Sequence, residues 1–536
     1  MDTSVLIAGG GPVGLTLSLT LARFGIGCVA VERAAGTTQH PKMDITNGRS
    51  MEIFRMLGVA DAIHAAAVPD HICHDVSWAT SLTGHEIYRF AYPGPAEARE
   101  TYRRRNDGTR ALEPDVRISQ IVVEPLLRDA ALASPHVTIR YGAEFLDFEQ
   151  DADGVTSRVE IAETGEIREI RSRYLAGCDG GNSRVRRQLG IGLSGEANIR
   201  TRYSVHFISR DQAAFEPWGP AWHYQSPVHG TLVSQDGKER YTLHSYLADG
   251  ETPETVNPYD KVRSFVGADF HFEPLRALNW QNNLLIAEGY RDRRVLLAGD
   301  AAHQYIPTGG YGMNTGVGDA FDLGWKLSAV IQGWGGDGLL DAVREERQPV
   351  ALRNREGSKR HAEARLAIGE IWPDGIEAAG PEGERLRAGL ADGIQKIGNA
   401  ENESLGIELG YGYAGSSIVC NEDGDETQDD PLVYVPTTTP GYRPPGIYLG
   451  DGTPIFGRFG IWFTLVDFGS DGAAGAFEAE AETLGVPLRT VFIGDGHARA
   501  LYGYDLVLVR PDQHVAWRGN RAPGDVTEIL RRVSGN

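Results

Sequence analysis

The chain is poor in cysteine: four of its 536 residues, Cys28, Cys73, Cys178 and Cys420, with no C-x-x-C pair and no metal-ligand spacing. That excludes a disulfide framework and fits a reducing compartment. Positive charge is also scarce, with 52 Lys and Arg against 73 Asp and Glu and a formal net charge of -21. Nucleic acids and anionic lipid surfaces both need basic clusters, so neither is an expected partner. No apolar run approaches the ~18 residues of a bilayer span. The opening MDTSVLIAGGGPVGL lacks a basic leader and is broken by glycines. This argues against a signal peptide and makes the cytoplasm the expected location. The fifteen histidines form no H-x-x-x-H or H-E-x-x-H pattern, so no metal site is expected.

What the chain has in abundance is glycine, 67 residues, within an otherwise ordinary soluble composition of 41% apolar and 23% charged residues. At roughly 150 residues per domain the length suggests two to four units. Residues 4–8 (SVLIA) read as a strand, 15–23 as a helix and 28–31 (CVAV) as a second strand, a βαβ unit at the N-terminus. Helices are expected at 48–57 and 118–133. Strands are expected through 137–179, with a hairpin at AETGEI. Residues 195–290 alternate in short, aromatic-rich β-like runs, which suit a sheet covering an apolar pocket. Helix returns at 323–331 and over much of 338–400. A connector follows at about 400–445, its acidic run CNEDGDETQDD reading as a solvated loop. A compact α/β pattern closes the chain.

Three segments carry chemistry. The first is Gly9-x-Gly11-x-x-Gly14 between strand and helix. Gly9 permits the tight turn, Gly11 lets backbone approach a pyrophosphate, and Gly14 lets helix pack on strand. Glu32, at the end of the second strand, can accept hydrogen bonds from ribose hydroxyls, and Arg33 beside it is a further cofactor candidate. NAD and FAD both satisfy this segment. The second is CDGGNSRVR, where a strand ends in Asp179-Gly180 and a basic helix begins; Asp179 also reads as a simple helix cap. The third is GDAAHQYIPTGGYGMNTGVGDAFDLGWKL, from Gly299. Asp300 stands at the carboxyl end of an apolar strand, where open α/β sheets bind ligands. The glycines around Gly312 free backbone N–H groups for a ligand edge, and the next helix aims its positive end there. Such a loop suits the electron-rich carbonyl end of a flavin, and Asp300 suits a sugar-alcohol hydroxyl.

In this order and spacing, the three segments resemble the single-component (class A) FAD-dependent aromatic hydroxylases of the p-hydroxybenzoate hydroxylase fold group. The resemblance covers roughly residues 1–400. PGYRPP, FTLVDF and LYGYDLVLVRPDQHVAWRG resemble the thioredoxin-like C-terminal domain of the phenol-hydroxylase branch. That segment holds no cysteine, so a redox-dead structural or dimer-supporting role is expected. The implied fold is α/β with mixed α+β parts. A Rossmann-like FAD-binding domain spans 1–400, with a substrate sheet inserted at about 70–115 and 190–290. The connector is 401–445 and the thioredoxin-like domain 446–536.

The resemblance implies bound FAD, reduction by NADH or NADPH, and O2 delivered to an electron-rich ring through a C4a-hydroperoxyflavin. It implies that Arg49 and Gln120 touch the cofactor and that Asp179-Gly180 serves FAD and the nicotinamide nucleotide. Asp300 would hold the ribityl chain and Pro307 would line the flavin face. Gly312, Met313 and Asn314 would offer backbone to the pyrimidine end. For activating a phenol, Asp44 is the candidate catalytic residue, with Lys42 as neighbouring charge. Asp44 also reads as an exposed loop acid. His206, His223 and Tyr224 are candidates for the substrate pocket and read equally as sheet packing; His303 and Tyr311 read as structural. The expected partners are a small aromatic substrate and a second copy of the chain. Three other readings stand beside this one. They are a Baeyer–Villiger or polyketide-tailoring oxygenase on a multi-ring substrate, a flavin-binding protein without oxygenase activity, and a plain NAD dehydrogenase.

Overall fold

The strand Thr3–Ala8 lies inside a sheet whose parallel members run in the order Val295–Leu297, Glu166–Gly177, Thr3–Ala8, Cys28–Glu32, Val137–Tyr141. The computed structural model describes residues 1–247, 251–252, 254–422 and 430–536, so most of the acidic run expected as a solvated loop falls outside them. Both faces of this sheet are covered, as parallel sheets require. Val5 and Ile7 pack with the helix Pro12–Arg23 and with Phe321, Leu323 and Trp325 of the helix Tyr311–Gln332. Leu6 and Ala8 pack on the other face with Phe145, Val159 and Leu297. The hairpin expected at AETGEI joins Val155–Ile161 to Glu166–Gly177 and turns at Gly165, φ +67°.

A second sheet runs Glu273–Gln281, Thr201–Ile208, Arg240–Tyr246, Gly230–Ser234, His223–Ser226, Val76–Ala79, Glu86–Phe90. Its strands come from two stretches of chain, 76–90 and 201–281, inserted between elements of the first sheet. Here the aromatic residues overturn an expectation. Phe207, Phe215, Tyr224, Tyr241, Phe265 and Phe272 pack together on the face covered by the helix Pro258–Val266. The opposite face carries Ser204, His206, Thr242, His244, Thr231 and His223. The strand period of two sends the aromatics to the outer core and the polar set inward. Tyr224, expected in the pocket, is therefore a core residue; it is 1% exposed, with its hydroxyl donating to the Gly219 carbonyl at 3.1 Å.

The C-terminal unit is a four-stranded sheet ordered Leu488–Phe492, Phe463–Asp467, Leu506–Val509, Val515–Gly519, with the helices Ala474–Leu484, Gly496–Tyr502 and Val526–Val533. The residues leading into it are not all solvated: Tyr434, Tyr442 and Arg443 are buried, and Arg443 Nε donates to Glu52 at 2.9 Å. No helix among the described residues is long and apolar enough to cross a membrane.

Candidate functional site

Three adjacent parallel strands, Val295–Leu297, Glu166–Gly177 and Thr3–Ala8, end side by side. The three sequence segments leave from those ends, so Gly9, Asp179 and Asp300 line one carboxyl edge, where such sheets bind ligands. The contacts are tight. A Cβ at Gly9 (φ +110°) would sit 2.2 Å from the Cys178 carbonyl oxygen, and one at Gly14 would sit 2.0 Å from the Gly9 carbonyl oxygen. At Gly11 the added carbon would meet no protein atom within 4 Å, so this glycine opens onto free space. Glu32 accepts the backbone N–H groups of Gly10 and Ala34, each at 2.9 Å. Arg33 is exposed next to it. Asp179 Oδ2 accepts the N–H groups of Arg184 (2.7 Å) and Val185 (3.2 Å), as a cap would. Its Oδ1 is buried and has no protein partner. Asp300 is exposed at the strand end; crowding by protein raises its carboxyl above the usual range, against the pull of His303 and Lys42.

The glycine-rich loop behaves differently from its sequence reading. The helix starts at Tyr311, twelve residues before the expected Leu323, and its first turns hold the glycines. Gly316 and Gly324 are there for helix packing. Added carbons at those positions would lie 2.5 Å from Val13 Cγ2 and 2.5 Å from Thr20 Cγ2 of the first helix. Gly309 and Gly310 take positive φ, +86° and +65°, to make the turn. Only Gly312 in this helix start meets open space. No side chain caps the helix, so its first N–H groups, at Gly312 and Met313, remain for a ligand. Asn314 also ties the loop together through its side chain. Its Oδ1 accepts Asn47 N–H (3.1 Å), and its Nδ2 donates to the Gly310 (2.7 Å) and Ile45 (3.2 Å) carbonyls. Pro307 is exposed ahead of the turn. His303 and Tyr311 are both buried and bonded to protein side chains. His303 Nε2 lies 2.7 Å from Asp319 Oδ2, and the Tyr311 hydroxyl 2.8 Å from His361 Nε2.

Two further expected cofactor residues are bonded in part to protein. The Gln120 amide donates to Glu124 at 2.9 Å. Arg49, 4% exposed, donates to Glu52 (3.1 Å), Gln513 Oε1 (2.7 Å) and the Asp512 carbonyl (2.5 Å), turning toward the C-terminal unit. Gln120 begins the helix Gln120–Leu132 and Arg49 lies in the helix Gly48–Met56; the Arg49 Nε is buried and has no protein partner.

Asp44 stands where the two sheets meet. Its neighbour Ile45 packs on Gly310, and Asp44 reaches the polar face of the second sheet. Trp222 Nε1–H donates to Asp44 Oδ2 at 2.8 Å, and His223 Nε2 lies 3.4 Å from the same oxygen. Oδ1 has no partner among the described residues, and the side chain is 22% exposed. Burial would raise this carboxyl, but His223, the Trp222 indole and the Arg117 guanidinium outweigh it and hold it below the ordinary range. Asp44 is thus a held carboxylate, not a loose loop acid. Arg117 is buried with its Nη1 donating to the Cys73 carbonyl at 3.3 Å; burial lowers it to about 10, so it stays charged at neutral pH. Burial drives His244 to about 3, against Asp44, and His40 to about 4, helped by Lys42. His206 is likewise lowered by burial and lies 3.1 Å from the Tyr241 carbonyl. His206, His244 and His40 are thus held as neutral imidazoles near the Asp44 carboxylate. Trp222 lies within AWHYQ, the segment expected to line the substrate site, while Arg117 and His244 were missed from sequence. Each of these two is far along the chain from Asp44, and no local motif marks them.

A flavin dinucleotide fits this edge. Gly11 and Gly312 leave room where a side chain would intrude, the Asp179 oxygen lacks a partner, and two helix N-termini supply free donors. Residues 2–358 match the FAD binding domain family, and residues 437–536 match the aromatic-ring hydroxylase C-terminal family. The chain belongs to the FAD-dependent aromatic-ring hydroxylases. Relatives of this hydroxylase include the FAD-dependent monooxygenase apdD of Emericella nidulans, 35% identical over 99% of this chain and 90% of that one. Phenol 2-monooxygenase of a Pseudomonas species is 30% identical over 99% and 92%. The solved structure of the rebeccamycin biosynthetic enzyme RebC with reduced flavin superposes with a TM-score of 0.90, at 34% identity, over 100% of this chain and 99% of that one. Like the family, this hydroxylase is an FAD-dependent monooxygenase that uses NAD(P)H and O2.

Proposed function

We propose that the substrate is a phenolic ring whose hydroxyl donates a hydrogen bond to Asp44. The observation that carries this is the placement of one held carboxylate, with a free oxygen, between the flavin loop and the polar sheet face. FAD supplies the activated oxygen when bound and reduced. The protein's residues then divide the binding between them. The backbone at Gly9–Gly14 and the helix behind it take the pyrophosphate, Glu32 the ribose, and Asp300 the ribityl hydroxyls. Asp179-Gly180 lies beside both, and Gly312, Met313 and Asn314 offer backbone to the pyrimidine end, with Pro307 at the flavin face. Arg33, Arg49 and Gln120 support this edge from positions around it.

Asp44 is not a base strong enough to take the phenol proton outright. A free phenol near pKa ~10 and a free carboxylate near ~4 already differ by about six units, or about 8 kcal/mol, and the surroundings of Asp44 hold its carboxyl lower still. Its role is to accept a charge-assisted hydrogen bond, which pushes electron density into the ring and fixes its orientation. His223 and Trp222 position the carboxylate. The neutral imidazoles of His206 and His244 add polarity to the pocket without competing charge. The C-terminal unit, without cysteine, is read as a redox-dead thioredoxin-like domain, the protein as cytoplasmic and the assembly as a homodimer.

The test is NADH and NADPH oxidation by the flavin-loaded enzyme with a panel of phenols, scoring hydroxylated product beside hydrogen peroxide. Coupled product supports the reading. Peroxide alone means the phenol fills the pocket without being the substrate. No stimulation by any simple phenol favours a larger, multi-ring substrate on the same cofactor site.

A further inference from the structure

The turn between the strands Leu506–Val509 and Val515–Gly519 leaves the C-terminal sheet and enters the FAD-binding part of the molecule. It is closed by Arg510 N–H donating to the His514 carbonyl at 2.8 Å. Its residues are polar, yet Arg510, Asp512, Gln513 and His514 are each at most 5% exposed. Gln513 takes a left-handed backbone, φ +59°, which a non-glycine residue adopts at a cost. Strain of that kind persists where surrounding structure over-determines it. Here the strained residue aims its amide oxygen at Arg49, 2.7 Å away, while the Asp512 carbonyl takes the other end of the same guanidinium.

Arg49 lies in the first turn of the helix Gly48–Met56. Asn47, which caps that helix, is the residue whose N–H Asn314 accepts. Asn314 in turn holds the Gly310 and Ile45 carbonyls, so one line of bonds runs from Gln513 to the start of the flavin-loop helix and to the residue after Asp44. A second line starts at Arg510, which grips both oxygens of Glu346 at 2.6 and 2.8 Å. The next residue, Arg347, donates to Asp319 at 2.7 Å, and Asp319 accepts the Gly299 N–H at 3.0 Å, one residue before Asp300. Both lines end on backbone that borders the cofactor edge.

We infer that the Arg510–His514 turn of the C-terminal unit is a positioning element of the FAD site, with Gln513 as its key residue acting through Arg49. The C-terminal unit then sets how firmly the flavin is held, in addition to any role in assembly. This needs only that FAD binds, and not that the substrate is a phenol.

The experiment measures FAD dissociation from the full-length protein by flavin fluorescence, in the absence of NAD(P)H and substrate, beside the thermal midpoint of the apoprotein. Gln513→Gly suits the left-handed backbone and removes the amide. Gln513→Asn also tolerates that backbone and draws the amide back by one methylene. Both variants are expected to raise the FAD Kd about tenfold with an apoprotein midpoint no lower than wild type. Gln513→Glu keeps acceptor oxygens in reach of Arg49 and is expected to restore the Kd. A wild-type Kd in the folded glycine or asparagine variant overturns the inference. So does a weakened Kd that always travels with a lowered apoprotein midpoint and that glutamate does not rescue.

Discussion

Replacing Gly312 by alanine should make the apoprotein slightly more stable and its flavin less tightly bound. The two signs follow from one observation. A Cβ at position 312 meets no protein atom within 4 Å, and the residue is helical with ordinary negative φ. Inside a helix alanine is favoured over glycine by roughly 0.5–1 kcal/mol, so the empty fold gains or is unchanged. If the open space belongs to the cofactor, the same methyl group intrudes on it. An overpacking cost of about 1–3 kcal/mol would raise the FAD Kd roughly 5- to 150-fold. The matching control is Gly14→Ala, whose methyl would lie 2.0 Å from the Gly9 carbonyl oxygen and must disturb the fold itself. Apoprotein unfolding by circular dichroism and FAD titration by flavin fluorescence read the two effects separately. A Gly312→Ala protein with wild-type FAD affinity would refute the placement of the flavin against this loop.

Asp44→Asn should slow hydroxylation about a hundredfold while leaving the FAD Kd unchanged, as single-turnover product formation and flavin titration would show. Because its environment holds the Asp44 carboxyl below the usual 3.8, any loss of wild-type rate from its protonation should have its midpoint below that pH; a limb centred near pH 6 that vanishes in the variant would contradict this. Glu346→Gln should destabilise the protein by about 3–5 kcal/mol in urea unfolding, since it leaves Lys326 and Arg510 buried with less counter-charge. Burial would raise Glu346, but Arg510 and Lys326 hold it at about 2. Its stabilisation is therefore full above the unfolded value near 4.5 and is lost as pH falls toward 2. The variant should show a shallower acid loss over that window, and an identical acid profile would count against the network.

Where the chemistry depends on local backbone, the sequence was readable. Gly9, Gly11 and Gly14 are separated by the spacing a strand-to-helix turn needs; a Cβ would clash at Gly9 and Gly14 and would meet open space at Gly11. Asp179 and Asp300 were placed by the strands before them. The helix at Tyr311 was not legible because its glycines lower helix propensity; close contact with Val13 and Thr20, from the far N-terminal end of the chain, offsets that loss. Tyr224 was misplaced because a period of two says that neighbours face opposite ways without saying which way is in. The Gln120–Glu124 bond is an i, i+4 pair within one helix, whereas the partner of Arg49, Gln513, lies 464 residues away and is set by packing. The pairing of Asp44 with Trp222 and His223 spans 178 and 179 residues of chain, and nothing short of the fold could supply it.

The alternation in the strand Thr201–Ile208 has a consequence for how this enzyme can change. Tyr203, Val205 and Phe207 lock into the outer core, while Ser204 and His206, one step away, lie on the opposite, polar face, the proposed substrate side. Exchanging a residue of the polar face therefore leaves the aromatic core and its packing in place. On the proposed reading, substrate preference would drift through positions such as Ser204, His206, Thr231, Thr242 and His244 while the scaffold and the flavin edge stay fixed. Directed evolution for a new ring should look there first, and should find more tolerated replacements at these sites than at their immediate neighbours.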